Sequence, residues 1–169
     1  MSVLSGTEIF KSRAVDPMHG RSVVSGMSYG LSYCGYDIRV DQDIDLGPGE
    51  FRLASSVERF TMPTDLVGVV HDKSTWARRG LSVQNTVIEP GWVGYLTLEL
   101  SNNHPSWMRM MPVWISRRLF PSRWVHLRRG DPIAQVLFHR IERPVKCGYT
   151  GKYQFQERGP VEARQEIAP

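Results

Sequence analysis

The 169 residues (19.3 kDa) suffice for one domain and leave little room for two, so a single domain over residues 1–169 is expected. A hydrophobic content of 41% excludes intrinsic disorder, and no run reaches the roughly 18 apolar residues that cross a bilayer. The net charge is +4, but residues 107–129 hold six arginines and no acid, so the basic character is local and does not indicate a nucleic-acid-binding protein throughout.

The N-terminal segment predicts a short helix, because Ser5 and Glu8 have the spacing of a capping box. From residue 33 onward, short runs of strand-forming residues alternate with turn residues, which predicts strands at 36–40, 51–55 and 66–70. The fold class is therefore predicted to be mainly β, with the N-terminal helix as its one sizeable helix.

A helical turn is predicted at residues 74–78, ended by Gly80. It would place Ser74 and Arg78 on one face, four positions apart. The next strand, 92–102, alternates leucines with polar residues, which puts Glu99 opposite the leucine face. Taken alone, the strand favours a carboxylate on the wet face of a sheet for Glu99, and only the motifs around it argue for a functional role.

The last predicted strand spans 133–141, and residues 144–169 lack periodicity and are predicted to be a tail. Cys34 and Cys147 stand alone, which suits a reducing compartment rather than a disulfide framework. The first fifteen residues lack the pattern of a signal peptide. We expect a soluble, cytoplasmic protein without a membrane partner.

Several motifs occur in the same order as in the dCTP deaminases and their relatives, the trimeric dUTPases, and the chain resembles this family over most of its length. The motifs are Tyr36-Asp37-Ile38-Arg39, residues 49–55, Lys73-Ser74-Thr75 with Ala77-Arg78, Ile88-Glu89-Pro90-Gly91-Trp92, Leu98-Glu99-Leu100 with Asn102, residues 130–138, and Gly151-Lys152-Tyr153-Gln154 with Gln156.

The resemblance implies a homotrimer of distorted β-barrel or jelly-roll subunits, with active sites between subunits that bind a deoxynucleoside triphosphate and Mg²⁺. It implies that Glu99 activates the attacking water and that Ser74 and Arg78 complete the catalytic set. The chemistry is reasonable, because C4 of cytosine is a poor electrophile and one carboxylate can shuttle the protons. A neighbouring Arg78 would favour the ionised form of Glu99.

Further residues are implied to bind the substrate. Lys73, Thr75, Lys152 and Gln156 would supply cations and donors to the triphosphate, with Gln135 and Tyr149 as weaker candidates. The alternative for this group is a solvated basic surface. The resemblance also implies contacts of the base, the sugar and the 3′-hydroxyl with Asn85, Thr86, Val87 and Glu89, whereas packing is the favoured role of Trp92.

No zinc is expected, because the sequence lacks the His-x-Glu and Pro-Cys-x-x-Cys signature of zinc-dependent base deaminases. The five histidines are scattered and are interpreted as ordinary surface or core residues. We therefore expect base chemistry without a metal and no metal site formed by the protein itself.

Three departures from the family pattern stand out. The chain is shorter between Gly80 and Glu89, and residues 84–87 replace a His-x-Thr-Ala run, which puts base selectivity in doubt. Lys73 and Glu89 stand where the family has Arg and Asp. Residues 103–124 are longer than the usual turn and are predicted to form a hairpin whose tryptophans bury against a neighbouring subunit. Nucleic-acid binding by this insert is the less favoured alternative.

The leading functional hypothesis is deamination of dCTP to dUTP and ammonia, with dUTP hydrolysis as an additional activity to test, since Glu99 occupies a position that is usually apolar in pure dUTPases of the family it resembles. A dUTPase that yields dUMP and pyrophosphate is the alternative. A regulatory or nucleic-acid-binding protein without catalysis is a third. The tail, 145–169, is expected to close over the triphosphate.

Overall fold

The computed structural model describes residues 2–84 and 86–165 and is mainly β, as the sequence predicts. Strands and helices are numbered here in chain order. The strands are β1 Ser2–Val3, β2 Val15–Asp16, β3 Ser22–Val24, β4 Met27–Leu31, β5 Tyr36–Arg39, β6 Ile44–Leu46, β7 Phe51–Thr61, β8 Leu66–Asp72, β9 Leu81–Val83, β10 Val87–Ile88, β11 Val93–Asn102, β12 Val125–Leu127 and β13 Pro132–Arg140. The α-helices are α1 Gly6–Ser12, α2 Ser74–Ala77 and α3 Val113–Leu119.

Two sheets and a two-stranded ribbon organise these strands. The larger sheet has the order β10-β8-β13-β5-β4-β3, with β1 also paired to β13. The second sheet has the order β2-β7-β11-β9, and β6 pairs with β12 in the ribbon. Strand β13 pairs antiparallel with both β5 and β8, so it brings two distant parts of the sequence side by side.

The core consists of the inward faces of both sheets. Leu96, Leu98 and Leu100 of β11 are almost fully buried, as their alternation predicts, and Phe60 of β7 stacks on Phe138 of β13. Side chains of alternate residues leave a strand on opposite faces. The residues between these leucines, Thr97 and Glu99, therefore lie on the other side of the second sheet.

The longer predicted elements are confirmed, whereas the short ones were missed. Helix α1 begins after Ser5, although the Ser5 side chain makes no capping hydrogen bond. Strands β5, β8, β11 and β13 match the predicted ranges to within two residues, whereas β7 continues to Thr61, beyond the predicted 51–55. Strands such as β2 and β10 contain only two residues, and their pairing depends on partners far away in the sequence, so no local pattern marks them.

The hairpin prediction for residues 103–124 is wrong, because this insert is helical. It contains two 3₁₀ turns, Ser106–Met110 and Pro121–Arg123, on either side of α3. A proline stands at or just before the start of each of these three elements, where the N–H that proline lacks would have no partner within the helix. In the strands of a hairpin, each proline would instead remove one hydrogen bond between the strands. Helix α3 also equals α1 in length, so α1 is not the single sizeable helix.

Asn102 closes the base of the insert. Its buried amide Nδ2 donates to the carbonyl of Leu46 at 3.0 Å and to that of Arg123 at 2.9 Å, at the far end of the insert. Among the described residues, no helix is sufficiently long and apolar to span a membrane.

Candidate functional site

A first cavity, of about 670 Å³, lies between the N-terminal segment, β4 and the ends of β8 and β13; we call it the Lys73 cavity. Of the predicted site residues, Lys73, Ser74 and Gln135 line it. Hydroxyl groups of Ser28 and Ser32 and the carboxylates of the aspartates Asp37 and Asp72 also line it. Its surface is thus rich in hydrogen-bonding groups.

The charge of Lys73 is already paired within this cavity. Its Nζ lies 2.9 Å from Oδ2 of Asp37, and both side chains are at most 10% exposed. The hydroxyl of Ser28 donates to the same Oδ2 at 3.1 Å. Lys73 therefore contributes a neutralised ion pair to the cavity wall, and a phosphate entering here would compete with Asp37 for the ammonium group.

Helix α2 holds Ser74 at the edge of the Lys73 cavity. Trp76 anchors the helix: its buried indole donates to the carbonyl of Pro132 at 2.7 Å. Ser74 and Arg78 are both exposed and one turn apart, with the Arg78 N–H donating to the Ser74 carbonyl at 3.1 Å. Thr75 and Arg78 line neither the Lys73 cavity nor the second cavity, which is described below.

A second cavity, of about 350 Å³, contains most of the remaining predicted residues; we call it the Glu99 cavity. It is lined by Thr86, Val87, Glu89, Trp92, Glu99, Tyr149 and Gln156. Apolar residues, including Phe51, Leu53 and Val87, form much of its wall. Such a combination of apolar wall and few polar groups is typical of a small-molecule site.

Glu99 is held from two sides. Its Oε2 accepts a hydrogen bond from the hydroxyl of Thr86 at 3.2 Å, and its backbone carbonyl accepts the N–H of Gln84 at 2.9 Å. The side chain is half-buried and lines the cavity. Glu99 thus lies on the polar face of β11 at the wall of a cavity.

Glu89 lies toward the other end of the same cavity. Its carbonyl accepts the N–H of Trp92 at 3.1 Å in a turn that precedes β11. Gln84 is bonded to Glu99 and Glu89 to Trp92, near opposite ends of β11, whereas β10 between them pairs with β8. The two acids thus face one cavity from separate positions.

The tail covers the Glu99 cavity of its own chain. The Trp92 indole, 6% exposed, donates to the Tyr153 carbonyl at 2.7 Å, so Trp92 is a packing residue as well as part of the wall. Gln156 is buried, and its amide donates to the Thr97 hydroxyl at 2.5 Å. Lys152 lines neither cavity, and its ammonium lies 5.3 Å from the ring centre of Tyr153.

The structure divides the predicted catalytic set: Glu99 lines one cavity, Ser74 lines the other, and Arg78 lines neither. Asn85 lies outside the described residues. Thr97 and Tyr153 were missed as wall residues, although Thr97 precedes Glu99 by two positions and so shares its face of the strand. Phe51 and Leu53 reach the cavity through the pairing of β7 with β11, which no local pattern reveals.

A buried ion pair fixes the strands behind the site. Glu58 of β7 is fully buried and accepts hydrogen bonds from the Arg39 guanidinium at 2.8 Å and the Arg39 N–H at 2.9 Å. Burial raises the pKa of Glu58, and the bonds from Arg39 oppose this rise. Over residues 2–84 and 86–165, no three His, Cys, Asp or Glu side chains form a group that could hold a metal ion.

Comparison with known proteins confirms the resemblance. The profile of the dCTP deaminase-like family matches residues 21–112. A dCTP deaminase of Roseiflexus castenholzii is 33% identical over 175 residues, covering 84% of this chain and 86% of that protein. A dCTP deaminase of Acidobacterium capsulatum is 31% identical over 176 residues, covering 85% and 87%.

Similar solved structures are dUTPases of staphylococcal phages. The dUTPase of Staphylococcus bacteriophage 80alpha has a TM-score of 0.56 and 16% identity, covering 80% of this chain and 91% of that one. A mutant dUTPase of phage phi11 of S. aureus, which coordinates a structural Mg(II) ion, has a TM-score of 0.55 and 16% identity, covering 82% and 94%. At this identity the likeness extends to the fold alone.

Proposed function

Since the chain belongs to the dCTP deaminase family, we propose that it is a hydrolase that converts dCTP and water to dUTP and ammonia. The observation that carries this proposal is Glu99, a carboxylate on a rigid strand that faces a mostly apolar cavity and is oriented by Thr86. Such a group can move protons at a base that water alone attacks too slowly.

The reaction needs three proton movements, and Glu99 is the group that supports them. Glu99 takes a proton from water as the oxygen bonds to C4, and that proton passes to N3 of the ring. The second proton of the water then goes to the exocyclic amine, the C4–N bond breaks and ammonia leaves. The hydrogen bond from Thr86 occupies Oε2 and leaves Oε1 for the water.

The Glu99 cavity would hold the base and the sugar. Phe51 and Leu53, which pair with the Glu99 face of β11, offer apolar contacts to the pyrimidine. At the far end, Glu89 would accept a hydrogen bond from the deoxyribose 3′-hydroxyl, with Tyr149 beside it. Asn85 and Val87 keep their proposed place next to the base and sugar.

The triphosphate would be bound at the Lys73 cavity of a neighbouring subunit. Within one chain, Ser74 and Glu99 line different cavities. A complete site therefore needs a second copy whose α2 brings Ser74 and Arg78 to the Glu99 cavity. A homotrimer with three such sites meets this need. Lys73, Thr75 and Gln135 would contribute from the same copy, and Lys152 and Gln156 from the tail.

Mg²⁺ would enter with the nucleotide. In nucleotide sites this ion is held by phosphate oxygens and waters, with only one or two carboxylates from the protein. Asp72 fits this role, since it lines the Lys73 cavity and uses only Oδ1 internally, accepting the Val83 N–H at 2.7 Å. When bound, Mg²⁺ neutralises phosphate charge.

The exposed free cysteines Cys34 and Cys147 are compatible with a reducing compartment, and the proposal therefore includes a cytoplasmic location. Hydrolysis of dUTP to dUMP and pyrophosphate stays as an additional activity, for which Glu89 would be the acid nearest the phosphate end.

The test is to incubate the purified protein and Mg²⁺ separately with dCTP, dUTP and CTP, and to resolve the products by chromatography while ammonia is measured. We expect dUTP or dUMP, with ammonia in equal amount, from dCTP, and no loss of this activity when a zinc chelator is added and Mg²⁺ is restored. Absence of ammonia release from dCTP, or a loss of activity that only zinc reverses, would contradict the proposal.

A further inference from the structure

The insert between β11 and β12 buries a polar side chain and exposes several large apolar ones, the reverse of the usual arrangement in a soluble domain. Helix α3 buries Ser116 completely and exposes Trp114 (69%) and Val113 (57%). In the preceding 3₁₀ turn, Trp107 is 50% and Met110 87% exposed. Large exposed apolar side chains in one continuous segment are uncommon on a soluble domain and mark interaction sites.

This surface is rigid, because its inner side is anchored. The Trp124 indole donates to the Ser116 hydroxyl at 3.2 Å, Met108 is buried, and Asn102, which directly precedes the insert, donates to the carbonyl of Arg123 near its end. Arg117 adds a bond to Asp45 at 2.7 Å and lies 4.6 Å over the Trp124 ring. The exposed aromatic side chains therefore sit on a fixed support.

The surface is also strongly basic. The sequence holds no acid from residue 100 to residue 130, and the arginines of the insert divide into two groups. Arg117 pairs with Asp45 and Arg123 lies 3.4 Å from Nδ1 of His104, whereas Arg109 and Arg118 are exposed and pair with no carboxylate of the described residues.

Tryptophans and unpaired arginines alternate in space. Arg118 follows Trp114 by one helical turn, so the two side chains share a face of α3. Trp107 and Arg109 line one shallow depression together with Met110. Trp107 touches Phe120 only edge to face, with ring centres 5.9 Å apart. We call Trp107, Arg109, Met110, Val113, Trp114 and Arg118 the insert face.

We propose that the insert face binds single-stranded nucleic acid, with bases stacked on Trp107 and Trp114 and phosphates paired with Arg109 and Arg118. Exposed aromatic side chains beside unpaired cations are the combination that single strands require. Contact between the insert faces of two copies would instead bring unpaired arginines together. This activity is separate from the proposed deamination, since none of these residues lines the Glu99 or Lys73 cavity.

The test is fluorescence anisotropy of a labelled 20-nucleotide oligothymidylate, its uridylate counterpart and a 20-base-pair duplex at 50–200 mM KCl. We expect the single strands to bind more tightly than the duplex, with DNA and RNA compared directly. Trp114→Ala should weaken binding about fivefold to a hundredfold. Arg118→Gln should reduce the slope of log K against log salt by about 0.7.

Arg143→Gln is the matched control, because Arg143 is equally exposed but lies outside the insert. This variant should bind like the wild type, and Trp114→Ala should retain dCTP conversion and its circular dichroism spectrum. Three results would overturn the proposal: no binding of either single strand, displacement of the oligonucleotide by saturating dCTP, or dissociation of the oligomer by Trp114→Ala, which would make the insert face a subunit interface. If the wild-type protein does not convert dCTP at all, that result contradicts the proposed deamination but not the proposed nucleic-acid binding.

Discussion

At the scale of single residues, the bond between Thr86 and Glu99 decides how the carboxylate can act. The Thr86 hydroxyl donates to Oε2 and so restricts the rotation of the carboxylate, while Oε1 has no such bond among the described residues. Thr86 belongs to residues 84–87, the segment that departs from the family pattern and is expected to affect which base the enzyme selects. The residue that orients Glu99 therefore lies in that segment.

Glu99→Gln should lower kcat for dCTP deamination by about 10² to 10⁴, because the amide keeps the shape of the side chain but cannot take a proton from water. Binding of dCTP, measured by calorimetry, should change little. Glu142→Gln is the control, since Glu142 is an exposed acid outside both cavities. A Glu99→Gln variant with a near-normal kcat would remove Glu99 from the mechanism.

Lys73→Met should destabilise the fold by about 3–5 kcal/mol, because it leaves the charge of Asp37 buried without its partner. Urea unfolding measures the loss. Adding Asp37→Asn in the double variant should recover part of it, since no unpaired charge then remains. Equal stability of the single and double variants would mean that the pair contributes nothing beyond packing.

At the scale of elements, the docking of α3 depends on one exposed carboxylate. Asp45 accepts hydrogen bonds from the ring of His126 at 2.5 Å and from Arg117 at 2.7 Å, and these bonds, in that order, hold the pKa of Asp45 below its ordinary value of 3.8. A lowered pKa means that the ionised form is stabilised by folding. The contribution is therefore present at neutral pH and is lost as the pH falls through the lowered pKa.

Acidification below pH 4 should therefore loosen α3 before the sheets unfold, and Trp124 fluorescence should report it through the departure of Arg117. Asp45→Asn should remove this transition while costing less than about 1 kcal/mol at neutral pH, because the pair is half exposed. Asp65→Asn, which removes an exposed pair with Arg140 away from the insert, is the control. An unchanged fluorescence titration in Asp45→Asn would contradict the anchoring role.

The sequence was informative about elements whose pattern is local. The alternation of leucines predicted β11, and the family motifs identified seven residues that line the Glu99 cavity. It was uninformative where pairing between distant strands decides the outcome. Asp37 meets Lys73 only because β13 pairs with both β5 and β8. The prolines of the insert, which fit helix starts but would interrupt a strand ladder, are the local signal against the predicted hairpin.

At the scale of the whole molecule, the separation of Glu99 from Ser74 gives a direct test of assembly. If each site combines Glu99 of one subunit with Ser74 of the next, mixing inactive Glu99→Gln and Ser74→Ala proteins and exchanging their subunits should restore activity. For random trimers made from equal amounts, about one quarter of the sites would be intact. Measurement of dCTP conversion after partial denaturation and renaturation gives the result.

Unmixed variants carried through the same treatment are the controls for this experiment. Wild-type protein renatured alone sets the reference rate. If the mixture stays as inactive as its components although size-exclusion chromatography shows exchanged oligomers, the site is formed within one subunit and the interfacial proposal fails.

The Asn102 clamp has a consequence for how this fold can diversify. Asn102 directly precedes the insert, and its bond to the carbonyl of Arg123 holds the two ends of the insert together whatever lies between them, while its bond to Leu46 ties them to β6. The entropic cost of a longer loop between fixed ends grows only slowly with its length. This position can therefore accept new sequence of different size without disturbing the sheets, so a binding surface can be gained, exchanged or lost there while the chemistry of the cavities is inherited unchanged.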